Sequence, residues 1–502
     1  MTLSKNLVAN YFGQFWRALM GLAFIPIYIK LIGIESYGLI GLFAIFQSSL
    51  ALFDMGMKPA LGRETAKISE NHDSESSHRV RNLLRSVELV SIFIALILIM
   101  VMFSSSSWIA TNWLQSESLN YDIIRKSIII FALISCLQFL ESIYTSCLSG
   151  LQRQVLLNIL ISGFATLKAV GALLVLSFVS SSIIAFFLWH LAVALISLIV
   201  ISLTLYNVLP MSNQRSKFSL LEIQKIWKYA FGMMGITFVA LMLTQLDKVI
   251  LSNILSLSNF GYYSLVSAIV ASLFFFVTPV TTAYFPKFVA LIESNNKPHL
   301  KDAYHQSAEL VAVLMGVTGI FLAYHAHSIL LIWTQDQEIV DNTYYLLSIL
   351  SISTIFNGVL WIPMQMQLAH GVTSITLKVA ISTMILIVPL FFILVPVYQS
   401  VGAAFIALGM NVFALLTNLI FMDRYIMKGH NFILVIRHTA FPLAISFLIC
   451  VMINWLVPVS DSLFREFFRL TAILVAMLSF GLLSTQHLKN KFIHLFNKYL
   501  KN

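Results

Sequence analysis

The chain has 502 residues, of which 59% are hydrophobic and only 10% charged, with a formal net charge of +10. Soluble domains carry about 25% charged residues, so this composition excludes a soluble globule and describes a polytopic membrane protein. The positive balance does not point to nucleic acid, because Lys and Arg gather in alternate loops between apolar runs, which is a topology signal.

Two apolar runs open the chain, residues 7–31 and 37–61, joined by the tight link Gly33–Ile34–Glu35–Ser36. Each is about 25 residues, enough to cross a hydrocarbon core of about 30 Å with some tilt. The first run is too long for a secretory signal, and no small-residue cleavage site follows it, so it is expected to remain as a span. A polar stretch, residues 63–85, is the first basic loop and puts the N-terminus in the cytoplasm. Span three is expected at 84–102, followed by an outer loop with Trp108 and Trp113 at the aromatic belt. Spans four to six follow at 123–150, 155–179 and 183–209. Beyond a basic amphipathic link, spans seven to twelve are expected at 229–255, 261–288, 310–333, 345–369, 373–397 and 402–421. Two more, 441–457 and 467–483, precede a lysine-rich tail.

The expected fold is therefore all-α, with about 14 transmembrane helices and both termini cytoplasmic. Its parts are a first lobe (1–210), a cytoplasmic link (211–228), a second lobe (229–424) and a C-terminal helix pair with a basic tail (425–502). Cys136, Cys147 and Cys450 lie inside apolar runs without metal-ligand spacing and read as inert core residues. His190, His325, His327 and His370 are scattered in the same way, so no metal site is expected.

An internal repeat is visible. Shifted by 223 residues, Leu31–Ile32–Gly33–Ile34–Glu35–Ser36–Tyr37–Gly38 falls on Ile254–Leu255–Ser256–Leu257–Ser258–Asn259–Phe260–Gly261. Both stretches close a long helix, turn tightly and open the next helix on an aromatic–Gly pair. Spans one to six and seven to twelve then run in the same sense, as parallel repeats that place a site near the bilayer midplane between lobes.

Charges inside the spans are the candidate site residues, because an ionisable group in hydrocarbon costs several kcal/mol unless it faces water, a partner or a ligand. Arg17 sits near the middle of span one. At 100° per residue Asn6, Asn10, Gly13, Gln14 and Gly21 share its side, which makes one wet stripe. Lys168 lies at similar depth in span five, with only Thr166 and Gly171 as a faint polar flank. Lys248 in span seven shares a face with Thr237, Thr244, Gln245 and Ser252, and lies near the outer end, where a lysine also snorkels to the interface. The intramembrane carboxylates are Asp247 and Glu141. Asp247 is expected to point about 100° away from its neighbour Lys248. Asp54 and Lys58 stand at i and i+4 and are expected to neutralise each other.

Lys5–Asn6, Tyr28, the Gly33–Gly38 link, Asp54–Met55–Gly56–Met57 and Gly62–Arg63–Glu64 resemble the opening of Wzx-type polysaccharide flippases. These belong to the multidrug/oligosaccharidyl-lipid/polysaccharide exporter superfamily. Gln245–Leu246–Asp247–Lys248 with Phe260–Gly261–Tyr262–Tyr263 resembles that family's seventh helix and the start of its eighth, and Val401–Gly402–Ala403–Ala404 the start of its twelfth. The likeness covers the whole chain and is most specific over residues 5–68. It implies two six-helix lobes around a central cavity, two extra C-terminal helices, and translocation of undecaprenyl-pyrophosphate-linked oligosaccharide across a bacterial inner membrane. It further implies a pyrophosphate held by central basic residues, H⁺ or Na⁺ as coupling ion with no other cofactor, and a polysaccharide polymerase and chain-length regulator as partners beside the lipid bilayer.

Under that resemblance Arg17, Lys168 and Lys248, with Gln14, Asn10 and Gln245, are expected to bind substrate. A guanidinium fork matches two phosphate oxygens at once. Structural alternatives remain open at this stage: Arg17 as a partner of Glu141, at similar depth in span four, and Lys248 as an interfacial anchor. Asp247 and Glu141 either take the coupling ion or neutralise a cation. The residues are expected to cluster at two depths, Arg17, Lys168 and Glu141 midway and Lys248 nearer the outer mouth. No catalytic constellation is present, and the outer loops are too short and too poor in acids for a lipid-linked glycosyltransferase. An ion-coupled small-molecule antiporter would want a net acidic cavity, against three intramembrane cations here. A non-transporting membrane partner of polysaccharide assembly has no need of a wet charged stripe.

Overall fold

The computed structural model describes residues 3–485 except 55, 71–73, 210–215, 372, 427–431 and 461. The described residues form helices and no strand, and twelve of the helices are long and apolar enough to cross a membrane. The chain divides into two compact units, Met1–Ser264 and Leu265–Asn502.

In the first unit, α1 (Leu3–Ala23) and α2 (Ile25–Ile32) together make the first span. They break at Phe24, ahead of Pro26, whose missing N–H is harmless in a first helical turn. Gly33 then turns the chain with φ at 82°, a conformation that favours glycine, and α3 (Ile34–Phe53) begins. The expected second span, 37–61, is not one helix. It stops at Phe53, and α4 (Met57–Glu70) starts afresh. Asp54 causes the break: its Oδ1 accepts the Gly56 N–H at 2.7 Å, an alternative to the helical ladder, while Oδ2 pairs with Lys58 at 3.4 Å as the spacing leads one to expect.

Next come α5 (Ser74–Trp108), ending in a π-helical turn Ile109–Trp113, then α6 (Tyr121–Gly150), α7 (Gln154–Phe178) and α8 (Ile183–Val208). Side-chain caps at Asn120 and Ser182 set the starts of α6 and α8. α9 (Leu220–Ile254) begins within the segment read as a link, and α10 (Leu257–Ala271) follows it. Ahead of α9 the chain is tied to α5: Lys217 N–H donates to Asn82 Oδ1 and Ser219 N–H to Ser86 Oγ, both at 2.8 Å.

α1 packs on α7, α6 lies against α4, α5 and α8, and α9 against α3, α4 and α5. An aromatic core of Tyr28, Phe43, Phe131, Phe186 and Phe187 fills the unit with ring centroids 5.3–5.9 Å apart. Outward, α5 shows large apolar side chains such as Phe93 and Met100, exposed by 65% and 70%. Lipid is as apolar as such a core, so close packing and polar pairs, rather than burial itself, hold these helices together.

The repeat is written into one contact. A Cβ on Gly38 would overlap the carbonyl oxygen of Leu257, one on Gly261 that of Ile34, and one on Gly41 the hydroxyl of Ser264. Ile34, Gly38 and Gly41 are 223 residues ahead of Leu257, Gly261 and Ser264. Equivalent residues that meet reciprocally are the mark of a two-fold relation. The starts of α3 and α10 are therefore true repeats, and glycine is needed at both because the backbones approach so closely.

The second unit continues with α11 (Phe274–Glu293) and α12 (Lys297–Val311). A π-helical turn Ala312–Val317, α13 (Thr318–Tyr324) and α14 (Ala326–Thr334) complete the span that α12 begins. Then come α15 (Gln337–Ala369), α16 (Thr373–Phe421), α17 (Phe432–Leu456) and α18 (Leu463–Ser484). Inside α16, Gln399 takes non-helical angles (φ 51°, ψ −135°), so this long element is two spans across a kink. Counted so, and with the 35-residue α9 added, the described residues hold fourteen helices of spanning length, consistent with the about 14 expected. α17 and α18 are joined by a buried network. Arg469 donates to both oxygens of Glu466 (2.6 and 2.8 Å), to Asn454 Oδ1 at 2.8 Å and to the Val457 carbonyl at 3.1 Å.

Candidate substrate and ion site

The stripe on α1 splits in two. Asn10 Oδ1 accepts from Asn158 Nδ2 at 2.6 Å, and Gly13 packs on the same Asn158 of α7, so this part is occupied by helix packing. Asn10 thus has a structural partner that the periodicity of α1 alone did not reveal. Gln14 and Arg17 are half-buried, and space is open beside Gly21. The Arg17 guanidinium donates from Nε to the Gly13 carbonyl of its own helix at 3.1 Å. Among the described residues no carboxylate lies within ion-pair distance of it, so the pairing with Glu141 weighed above is not formed.

Glu141 of α6 has Lys168 of α7 as its electrostatic partner instead. Glu141 Oε2 is buried with no hydrogen-bond partner among the described residues. His190 of α8 comes within electrostatic reach of Lys168; its ring stacks on Phe186 at 4.1 Å, and Nδ1 lies 2.9 Å from the Phe186 carbonyl. The expected mid-depth cluster therefore consists of Glu141, Lys168 and His190, with Arg17 apart from it. His190 was read as one scattered histidine; only the packing of α7 on α8 brings it to Lys168.

On α9, Lys248 curls back along its helix, donates to the Thr244 carbonyl at 3.0 Å and reaches Asp247 at 4.0 Å. The two were expected to diverge by about 100°; a flexible four-carbon stem closes that angle. Asp247 Oδ2 also accepts from Tyr263 Oη of α10 at 2.8 Å. Gln245 is half-buried, and Ser252, expected on the Lys248 face, accepts from Trp113 Nε1 at 3.0 Å.

Beside Glu466 of α18, three further buried carboxylates lie at the ends of the apolar runs, where hydropathy does not single them out. Glu88 of α5 accepts from Tyr206 at 2.6 Å and pairs with Arg85 at 3.3 Å. Glu309 of α12 lies 2.6 Å from Nδ1 of His438. Glu35, in the first turn of α3, is held by the segment 116–118.

Three cations thus lie within apolar helices, two with an acidic neighbour and one, Arg17, with no carboxylate in ion-pair range among the described residues. Residues 3–292 match the family described as polysaccharide biosynthesis protein. The chain belongs to that family. Over 404 residues, 80% of this chain and 94% of the relative, it is 22% identical to a Shigella flexneri protein assigned as an O-antigen transporter. Its fold is that of the MurJ and MATE transporters. A lipid II flippase, MurJ, in an inward closed conformation is similar with a TM-score of 0.70 at 15% identity, over 94% of this chain and 97% of that one. An inward-facing MATE multidrug transporter is similar with a TM-score of 0.65 at 14% identity, over 80% and 92% of the two chains. The chain is thus a multi-pass membrane protein of the polysaccharide biosynthesis family, built on the fold that MurJ and the MATE transporters share.

Proposed function

We propose that this protein flips undecaprenyl-pyrophosphate-linked oligosaccharide, an O-antigen or related unit, from the cytoplasmic to the periplasmic leaflet of a bacterial inner membrane. The lobes 1–210 and 229–424 rock by alternating access, and both termini stay cytoplasmic. The observation that carries this reading is Arg17. Lys168 and Lys248 have acidic neighbours, whereas Arg17 has none among the described residues and stands beside the open space at Gly21. A charge left so in hydrocarbon is costly, and a doubly ionised pyrophosphate offers the bidentate partner it lacks. Gln14 and Gln245 contribute hydrogen bonds to the head group, and the polyprenyl tail stays in lipid. Glu141, with a buried unpartnered oxygen, and Asp247 take the coupling proton or sodium ion. The names of the relatives, an O-antigen transporter and a lipid II flippase, agree with a lipid-linked anionic substrate. A polymerase and a chain-length regulator would take up the product.

A drug–cation antiporter is disfavoured by the same arithmetic: with two of three cations offset by acids, the residual charge is positive. The deciding experiment is transport in proteoliposomes with a labelled lipid-linked oligosaccharide whose head group is scored for access to an impermeant reagent. Protein-dependent exposure of the inner pool supports the reading, and an unchanged inner pool with intact protein refutes it.

A further inference from the structure

α9 runs unbroken from Leu220 to Ile254, so its first turn belongs to the same helix as Gln245, Asp247 and Lys248. That turn and the residues just before it are fastened to α5. Arg79 donates from Nε to Glu222 Oε2 at 2.8 Å. Beside this ion pair the Lys217 N–H donates to Asn82 Oδ1 and the Ser219 N–H to Ser86 Oγ, both at 2.8 Å. The other end of α9 is held by the segment after α5. There Trp113 Nε1 donates to Ser252 Oγ at 3.0 Å, Gln115 Nε2 to the Asn253 carbonyl at 3.1 Å, and the Leu257 N–H to the Gln115 carbonyl at 2.7 Å. Those bonds join neutral groups, whereas the fastening at Glu222 contains an ion pair. An anion competes for a guanidinium far more strongly than for amides and hydroxyls.

The two partners of the pair are unequally placed: the Arg79 side chain is 50% exposed and the Glu222 side chain 13%. Solutes therefore reach the guanidinium more readily than the carboxylate. Arg81 and Arg85 follow on α5, and exposed Lys217 is bonded to Asn82 of the same helix. Against these four cations, the described side chains of segments 78–88 and 216–224 supply two acids, Glu88 and Glu222. The excess of positive charge favours an anion. Phe218, Leu220 and Leu221, exposed by 48%, 58% and 69%, flank Glu222 in the way of side chains that enter the boundary of a bilayer. A lipid head group therefore passes at the level of Arg79.

We propose that Arg79 and Glu222 form a clasp at the end that the proposed topology makes cytoplasmic, and that an anionic diphosphate head group opens it by taking Arg79 from Glu222. α5 belongs to the lobe 1–210 and α9 continues into the lobe 229–424, so opening the clasp parts the two. The ion pair is the strongest single bond of the fastening, and for that reason opening needs a competitor rather than water alone. A diphosphate carries more charge than a carboxylate and presents two oxygens to the guanidinium fork at once. Once Arg79 has changed partner, Glu222 keeps its charge where water hardly reaches, which is unfavourable. Moving α9 away from α5 returns that carboxylate to solvent. The bonds at Asn82 and Ser86 join neutral groups and each adds little against water, so they give way with the pair. Arrival of the substrate and parting of the helices are then one event, and the empty protein stays shut on this side.

This inference rests on the reading of the substrate as a lipid-linked diphosphate moved by alternating access, and its first test needs no oligosaccharide. Ser86→Cys, at a buried position beneath Ser219, reports opening through its rate of reaction with a maleimide in the full-length protein held in nanodiscs. The native Cys136, Cys147 and Cys450 are all buried. Undecaprenyl pyrophosphate is expected to raise the rate several-fold. A rise with inorganic pyrophosphate as well shows that the diphosphate suffices, and a rise with the lipid alone shows that the membrane must deliver it; both support the clasp. No rise with either overturns it. Because Glu222 and the diphosphate compete for Arg79, Glu222→Gln should lower the lipid concentration that gives the half-maximal rate, whereas Arg79→Gln should remove the response. An unchanged or higher concentration in Glu222→Gln overturns the competition. In a second test, a short cleavable thiol crosslinker across Asn82→Cys/Lys217→Cys should stop flipping of labelled lipid-linked oligosaccharide in proteoliposomes, and reductant should restore it. Flipping that continues through the crosslink overturns the clasp as a gate. A clasp that answers the diphosphate in a protein that moves no oligosaccharide refutes the flippase reading and leaves the clasp standing.

Discussion

Trp16 donates a 2.8 Å hydrogen bond from its indole to the hydroxyl of Thr166, across the parallel packing of α1 on α7. That bond sets the height of Arg17: it stands within about one helical turn of the level of Lys168, yet has a separate set of neighbours. Two cations at one depth, one offset by Glu141 and one not, are therefore expected to respond differently to removal.

Arg17→Ala should abolish surface glycan export while the protein remains at its normal level in the membrane, since no internal carboxylate loses a partner. Arg17→Lys should restore only part of the export, because an ammonium keeps the charge and loses the planar fork. Surface polysaccharide and membrane protein level, measured side by side, check this; full export in Arg17→Ala would remove the central claim.

Lys168→Met should instead lower stability, leaving Glu141 buried without its cation. Adding Glu141→Gln should recover part of the loss, with a coupling of about 1–3 kcal/mol between the two positions. Thermal unfolding of the two single variants and the double variant in detergent gives that coupling directly, and strict additivity would show that the two side chains do not interact.

The spans were legible in the sequence because a run of some twenty apolar residues has one stable use. The duplication was legible too, because Tyr37–Gly38 and Phe260–Gly261 keep the same place beside a link. Partnerships across the sequence were not. Asn10 and Asn158 are 148 residues apart, and the helical periodicity of α1 shows that Asn10 is on a polar face without showing that α7 covers it. Lys248 and Asp247 diverge as points on a helical wheel, and only the reach of a real side chain brings them to 4.0 Å. The break at 54–56 was hidden for the opposite reason: hydropathy averages over a window and passes across a single aspartate that captures a backbone N–H.

Orientation can be tested at two exposed turns. Glu117→Cys should react with an impermeant maleimide from the periplasm, and Gln152→Cys, at the turn between α6 and α7, should react only after the membrane is opened. The reverse pattern would invert the topology.

At the far end of the chain, Glu466 and Arg469 are buried, with side chains only 5% and 6% exposed. Removing one partner of such a pair strands the other, at a cost of about 3–5 kcal/mol. Arg469→Met should therefore lower the midpoint of thermal unfolding sharply, and Glu466→Gln/Arg469→Met together should lower it less than Arg469→Met alone. Equal losses would mean that the Glu466 carboxylate stranded without its guanidinium is not what destabilises Arg469→Met.

The reciprocal contacts of Gly38 with Leu257 and of Gly261 with Ile34 also bear on ancestry. A surface that touches its own equivalent is self-complementary, so a half-length chain carrying one such turn would have met a second copy of itself there before any fusion of the two halves. In that ancestor the position of Gly41 and Ser264 would have faced its own copy across the axis. Fusion would free the two positions to differ, and they now hold glycine and serine.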